Sequence, residues 1–196
     1  ISDKLYVEQK VKKVLLRSAH LCKADLVSEM VKEFPELQGM MGKEYAIISG
    51  EGKEVAEAIF EHYLPRFSGG RLPLTKSGMI LGIADKVDSI IGCFVMGLTP
   101  TGSQDPYGLR RQSRGKIAII LKNNLKISLK DIIQKSLSLY KESNSVELKI
   151  DENGIISQVL YFLKQRVKNI FLEEGIRYDV IDAVLAVESG GDVVDI

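Results

Sequence analysis

Apolar positions recur at helical spacing along almost the whole chain, and the expected fold is all-α. From about Lys4 to Lys32, Leu15, Cys22, Leu26 and Met30 form one stripe, which predicts a long amphipathic helix. Phe34-Pro35 ends it, because a residue before proline disfavours the helical region. Gly39 and Gly42 mark a loop or short helix through Glu44-Tyr45. A second helix is expected from about Lys53 to Tyr63, with Val55, Ala58, Ile59 and Tyr63 inward and Pro65 as its stop. Residues 67–74, with Gly69-Gly70 and Pro73, read as an exposed loop. The third helix, from about Ser77 to Gly97, is apolar nearly all round at Met79, Ile80, Leu81, Ile83, Val87, Ile90 and Ile91. Such a helix belongs at the centre of a bundle.

Thr99 to Gln104 read as a loop, and Asp105-Pro106 as an N-cap followed by proline at the first helical position. The helix that follows carries Leu109, Ile117, Ile120 and Leu121, and Asn123-Asn124 mark a boundary. Two more helices are expected, from about Leu129 to Tyr140 and from about Ile156 to Glu174, separated by a polar loop through Asn153-Gly154. Gly175 suits a C-terminal cap, and Asp179 would cap a last helix from Val180 to Val187.

Composition adds little to this. Hydrophobic residues make up 45% and charged residues 27% of the 196 positions, ordinary for a globular protein. No apolar run approaches the roughly 18–20 residues of a membrane span, and the N-terminus lacks a signal-peptide pattern, so a cytoplasmic protein is expected. Cys22 and Cys93 lack CxxC spacing and read as small buried thiols in a reducing compartment. With a net charge of +1 the chain has no global field for nucleic acid, though a local basic cluster can still meet phosphate. The chain begins at Ile1 without methionine and ends just after an amphipathic segment, so it reads as an internal piece of a longer polypeptide.

Two constellations carry candidate chemistry. His62 falls inside the apolar arc of its helix, Asp25 and Glu29 flank the first stripe, and Asp85 and Asp88 share one face of the third helix. A histidine with carboxylates from three helices is raw material for a metal site. Lone inward histidines are more often hydrogen-bonded core residues, and these carboxylates could equally pair with Lys32 or Lys86 or anchor helix seams. The second constellation is Arg110, Arg111 and Arg114, with Lys116 near them. Arg110 and Arg114 stand one turn apart, and Arg111 is offset toward solvent. Guanidinium groups so placed suit phosphate or carboxylate, and pairing with Asp85 or Asp88 is the intramolecular alternative. No phosphate-cradling glycine loop or Ser-His-Asp arrangement is recognisable, and His20 is expected on an exposed face.

Several segments resemble one family. These are residues 22–30 with Glu33-Phe34-Pro35-Glu36-Leu37-Gln38-Gly39, then Glu61-His62-Tyr63-Leu64-Pro65-Arg66-Phe67, then Ala84-Asp85-Lys86-Val87-Asp88. The phrase Pro100-Thr101-Gly102-Ser103-Gln104-Asp105-Pro106-Tyr107-Gly108-Leu109-Arg110-Arg111 follows, and the likeness continues through Gly175-Ile176-Arg177-Tyr178-Asp179. In order and spacing they are similar to the β subunit of bacterial glycyl-tRNA synthetase.

That resemblance implies a helical domain like those of the HD phosphohydrolases over residues 1–122, followed by part of a helical linker region over 123–196. It implies a subunit of an α2β2 ligase that glycylates tRNA-Gly, with the α subunit as partner. ATP and Mg would be held by the α subunit, and no cofactor by this segment. HD hydrolases bind metal through a histidine, a His-Asp pair and a later aspartate. Here the pair reads Ala24-Asp25, so one ligand is lost, and Asp25, Glu29, His62, Asp85 and Asp88 would be remnants without metal or catalysis. Arg110, Arg111, Arg114, Lys116 and Arg66 are the tRNA-binding candidates. An active metal-dependent HD-type phosphohydrolase is the alternative, and it requires Asp25, His62 and Asp85 to converge.

Overall fold

A computed structural model describes residues 1–142 and 151–187, and among them the regular structure is helical throughout. The chain divides into two compact units, residues 1–85 and 86–196. The boundary expected at 122/123 falls at a helix end, just before Asn124 takes a left-handed conformation at φ 48°.

In the first unit the expected long N-terminal helix is broken. Helix α1 spans Gln9–Leu21, a 3-10 turn follows at Ala24–Val27, and α2 is only Glu29–Glu33. Leu15 and Cys22 are buried as the stripe predicted, but beyond the break Leu26 and Met30 lose phase and are 39% and 42% exposed. Ser28 accounts for the restart, since its hydroxyl accepts the Val31 N–H at 3.3 Å as an N-cap.

The segment around Gly39 and Gly42 resolves into α3, Met40–Ile48, with Gly39 just before it at φ 78°. Helix α4, Lys53–Glu61, packs against both α1 and α3 and brings Val55, Ala56 and Ile59 into the core. Residues 76–85 of α5, Lys76–Val95, add Ile80 and Leu81 to that core.

In the second unit, α6 is Leu109–Lys122, α7 Leu129–Glu142, α8 Glu152–Glu173 and α9 Tyr178–Val187. Helix α8 packs against the other three. It buries Ile155, Val159, Leu163 and Val167 at helical spacing, and the Phe162 ring lies 5.3 Å from that of Phe94. Asn153-Gly154 belong to the first turn of α8, capped by Asp151 through the Gly154 N–H at 2.7 Å. The rest of the expected polar loop, residues 143–150, and the chain beyond Val187 lie outside the described residues.

Gly175 closes α8 as anticipated, at φ 85°, with the Gly175 and Ile176 N–H groups returning to Leu172 and Phe171 carbonyls. Asp179 lies inside the first turn of α9 and pairs with Arg177 instead of preceding the helix. Among the described residues no helix is long and apolar enough to cross a membrane.

Candidate functional site

In the first unit, the ends of α1 and α4, the 3-10 turn and α5 bring Cys22, Lys23, Asp25, His62, Tyr63 and Asp85 into one neighbourhood. Asp25 is 2% exposed, and its Oδ2 accepts the N–H groups of Gly39 at 2.6 Å and Gly42 at 3.1 Å. The carboxylate thus caps the N-terminus of α3, where the helix dipole favours a negative charge. Gly39 and Gly42 allow that approach: a Cβ on Gly42 would lie 3.1 Å from Asp25 Oδ2. His62 is fully buried, and its Nδ1 donates to the Ile59 carbonyl at 2.5 Å, which makes it a hydrogen-bonded core residue. Its ring packs against that of Tyr63, tilted by 48° with 3.9 Å between centroids.

The Lys23 ammonium lies 2.9 Å from Asp85 Oδ1 and 4.5 Å from the centre of the Tyr63 ring. A fixed cation therefore already balances Asp85. Burial, and next the Asp25 charge, push the Tyr63 phenol well above its usual range. Burial likewise raises the Cys22 and Cys93 thiols, and neither cysteine is in a disulfide.

A metal does not fit this donor set. Asp85 is held by the Lys23 ammonium, which sets a positive charge where a cation would have to sit. Among the described residues no three His, Cys, Asp or Glu side chains are placed to hold an ion. Asp25, His62 and Asp85 share a neighbourhood but are not placed to hold an ion together, as the phosphohydrolase alternative requires. Glu29 is exposed and pairs with Lys32 at 2.7 Å, because the break after α1 turns Asp25 inward and leaves Glu29 outside. Asp88, exposed, accepts the Tyr140 hydroxyl at 3.0 Å; burial, then Asp88, pushes that phenol up to about 12.

The basic constellation is built on α6 in the second unit. The expected Asp105 cap acts from further away than the sequence suggested. Asp105, Pro106 and Tyr107 lead through a turn to Gly108 at φ 63°, and α6 begins at Leu109. The Asp105 carboxylate still accepts the Leu109 and Arg110 N–H groups, at 2.8 and 2.9 Å. Arg111 is exposed, as the helical count predicted, and forms no hydrogen bond or ion pair with any described residue.

Arg110 Nη2 donates to the Gly102 carbonyl at 2.7 Å. Arg114 makes a two-pronged pair with Glu173 on α8. Lys116 must be withdrawn from the phosphate contacts: it is 1% exposed, and burial lowers its ammonium to about 7. It stands in the same arc as Leu109, Ser113 and Ile120, a spacing that its charge had obscured. In the first unit Arg66 is half-buried and clasps the Glu36 and Gln38 carbonyls, which locks the turn before α3.

Arg166 and Asn169 on α8 join Arg110, Arg111 and Arg114 around one cavity of about 230 Å³. Local spacing contains no trace of this, since only the packing of α8 on α6 brings the two helices together.

The chain resembles known sequences along its length. A profile of the family described as glycyl-tRNA synthetase beta subunit matches residues 1–186. The glycine–tRNA ligase beta subunit of Desulforamulus reducens is 49% identical over all of this chain and 28% of its own length. That of Clostridioides difficile is 53% identical over 87% of the chain and 24% of its own length. That of Halalkalibacterium halodurans is 45% identical over 95% of the chain and 27% of its own length. The chain thus spans about a quarter of the length of the curated relatives it matches. With the profile covering nearly every residue, helical architecture and all, the chain belongs to the glycyl-tRNA synthetase β-subunit family.

Proposed function

We propose that this chain is a portion of the β subunit of glycine–tRNA ligase, acting with an α subunit in an α2β2 enzyme of the cytoplasm that glycylates tRNA-Gly. Family membership along residues 1–186 is the observation that carries the reading. ATP and Mg belong to the α subunit, and this segment contributes scaffold and RNA contact without catalysing a step. Residues 1–122 serve as an HD-like domain whose metal chemistry is gone, and residues 123 onward as helical linker. Asp25, His62 and Asp85 fit that role, since each is engaged in holding the fold. A metal-dependent phosphohydrolase finds no support in their placement.

For tRNA contact Arg111 leads, being exposed and without a partner among the described residues. Arg110 and Arg114 supply positive charge beside it while also tying α6 to its neighbours. Arg66 serves the fold first. The test is the α2β2 enzyme carrying Arg111→Glu in β, with tRNA-Gly affinity measured across a salt series. Loss of one phosphate contact weakens binding about tenfold at low salt and makes the salt dependence shallower. An unchanged affinity and slope would remove Arg111 from RNA binding and leave the segment as scaffold.

A further inference from the structure

Four guanidinium groups around one cavity repel one another, and an anion bound among them would relieve that repulsion. Three of the arginines are anchored to neighbours. Arg166 Nη1 donates to the Phe162 carbonyl at 3.1 Å, with its guanidinium 4.3 Å over the Phe162 ring. Arg110 is held by Gly102, and Arg114 by Glu173. Burial, and next the neighbouring Arg110, lower the Arg166 pKa, the mark of a cation kept among cations.

The nearby carboxylate of Asp105 is committed to the Leu109 and Arg110 N–H groups. The Asp105 charge still favours the Arg166 guanidinium, while Glu173 pairs directly with Arg114. Two donors facing the cavity have no partner among the described residues: the Arg111 guanidinium and the Asn169 side-chain amide. Both residues are exposed, so the cavity opens to solvent on their side.

Guanidinium forks and a neutral amide around a concave opening match a tetrahedral oxyanion with several acceptor oxygens. We infer that this cavity seats one phosphodiester of an RNA backbone, gripped by Arg110 and Arg166 and closed by Arg111 and Asn169, with Glu173 holding Arg114 in reserve. The inference rests on the reading of the chain as part of a tRNA-handling subunit, and it adds α8 to the contact surface. Glu173 acts as a built-in competitor: its carboxylate occupies Arg114 until a phosphate draws that guanidinium away.

The test uses the full α2β2 enzyme. Phenylglyoxal modifies accessible arginines, and peptide mass spectrometry reads Arg111 and Arg166 separately. Millimolar inorganic phosphate is expected to slow modification of both, and Asn169→Asp, which sets a carboxylate at the opening, to abolish that protection. The same variant weakens tRNA binding about tenfold at low salt and reduces the salt slope by about one. Glu173→Gln frees Arg114 and tightens tRNA binding a few-fold.

Absence of phosphate protection would overturn the seat. Protection with tRNA affinity unchanged in Asn169→Asp would overturn the RNA occupant and leave a site for another phosphate. If Asn169→Asp is silent while Arg111→Glu weakens tRNA, the single-phosphate seat falls and the tRNA reading stands. If neither variant weakens tRNA, both fall.

Discussion

Lys116 shows how one side chain can lower the stability of the helix that carries it. It is 1% exposed on α6 among Ile117, Ile119 and Ile120, and burial brings its ammonium from 10.5 to about 7. Its folded pKa lies below the unfolded one, so between those values the folded protein binds fewer protons. Stability therefore rises as pH climbs from about 7 to 10.5, and below about 7 the cost of burying the ammonium is fully present. Lys116→Met is expected to raise unfolding free energy by about 2–4 kcal/mol at neutral pH and to remove this slope, in urea melts across that range. An unchanged slope would mean the ammonium reaches water. The arginines behave differently because the same helix turns Arg111 toward solvent, where its charge stays hydrated until a ligand arrives.

At the scale of elements, the start of α3 joins three segments. Asp25, from the 3-10 turn, supplies the cap; Gly39 supplies the left-handed backbone; and Tyr63, after α4, covers the glycine. A Cβ at Gly39 would stand 2.3 Å from a Tyr63 ring carbon, besides being strained at φ 78°. Gly39→Ala is expected to destabilise the subunit by about 2–3 kcal/mol, and Asp25→Ala by about 2–4 kcal/mol through two lost charge-assisted bonds. Thermal or urea unfolding reads both, and a loss under about half a kcal/mol in Asp25→Ala would deny it the capping role.

Helix α5 is started in a similar way. Buried Glu61 accepts the Leu74 and Thr75 N–H groups at 2.8 and 2.9 Å, and the Thr75 hydroxyl in turn accepts the Gly78 N–H at 3.0 Å. Nothing in the local pattern announced Glu61, because a cap delivered from another helix leaves no periodic mark.

For the whole molecule, the sharpest consequence concerns metal. A ligand that binds only the folded state raises its melting temperature. Adding Mn²⁺ or Zn²⁺, or removing ions with EDTA, is expected to leave the melting temperature unmoved. A rise of several degrees with Mn²⁺ that vanishes in Asp25→Asn would revive the phosphohydrolase alternative. The reason lies in Lys23, whose ammonium already balances Asp85 beside the Tyr63 ring.

The sequence by itself determined what depends on neighbours along the chain. Helical spacing sufficed for the all-α class and for most helices from α4 to α8, because apolar periodicity is a local record of burial. Gly175 and the stop before Pro35 were legible for the same reason: left-handed backbone and proline sterics act within a few residues. The resemblance carried by residues 100–111 needed no structure either. Tertiary structure decided where polar groups went. It broke the first helix so that Asp25 could reach α3, left Glu29 in solvent, and buried Lys116 in an arc its charge had hidden. It also set Arg166 and Asn169 beside the arginines of α6. Which donor meets which acceptor across helices depends on packing between segments far apart in sequence, and a one-dimensional period holds no record of that.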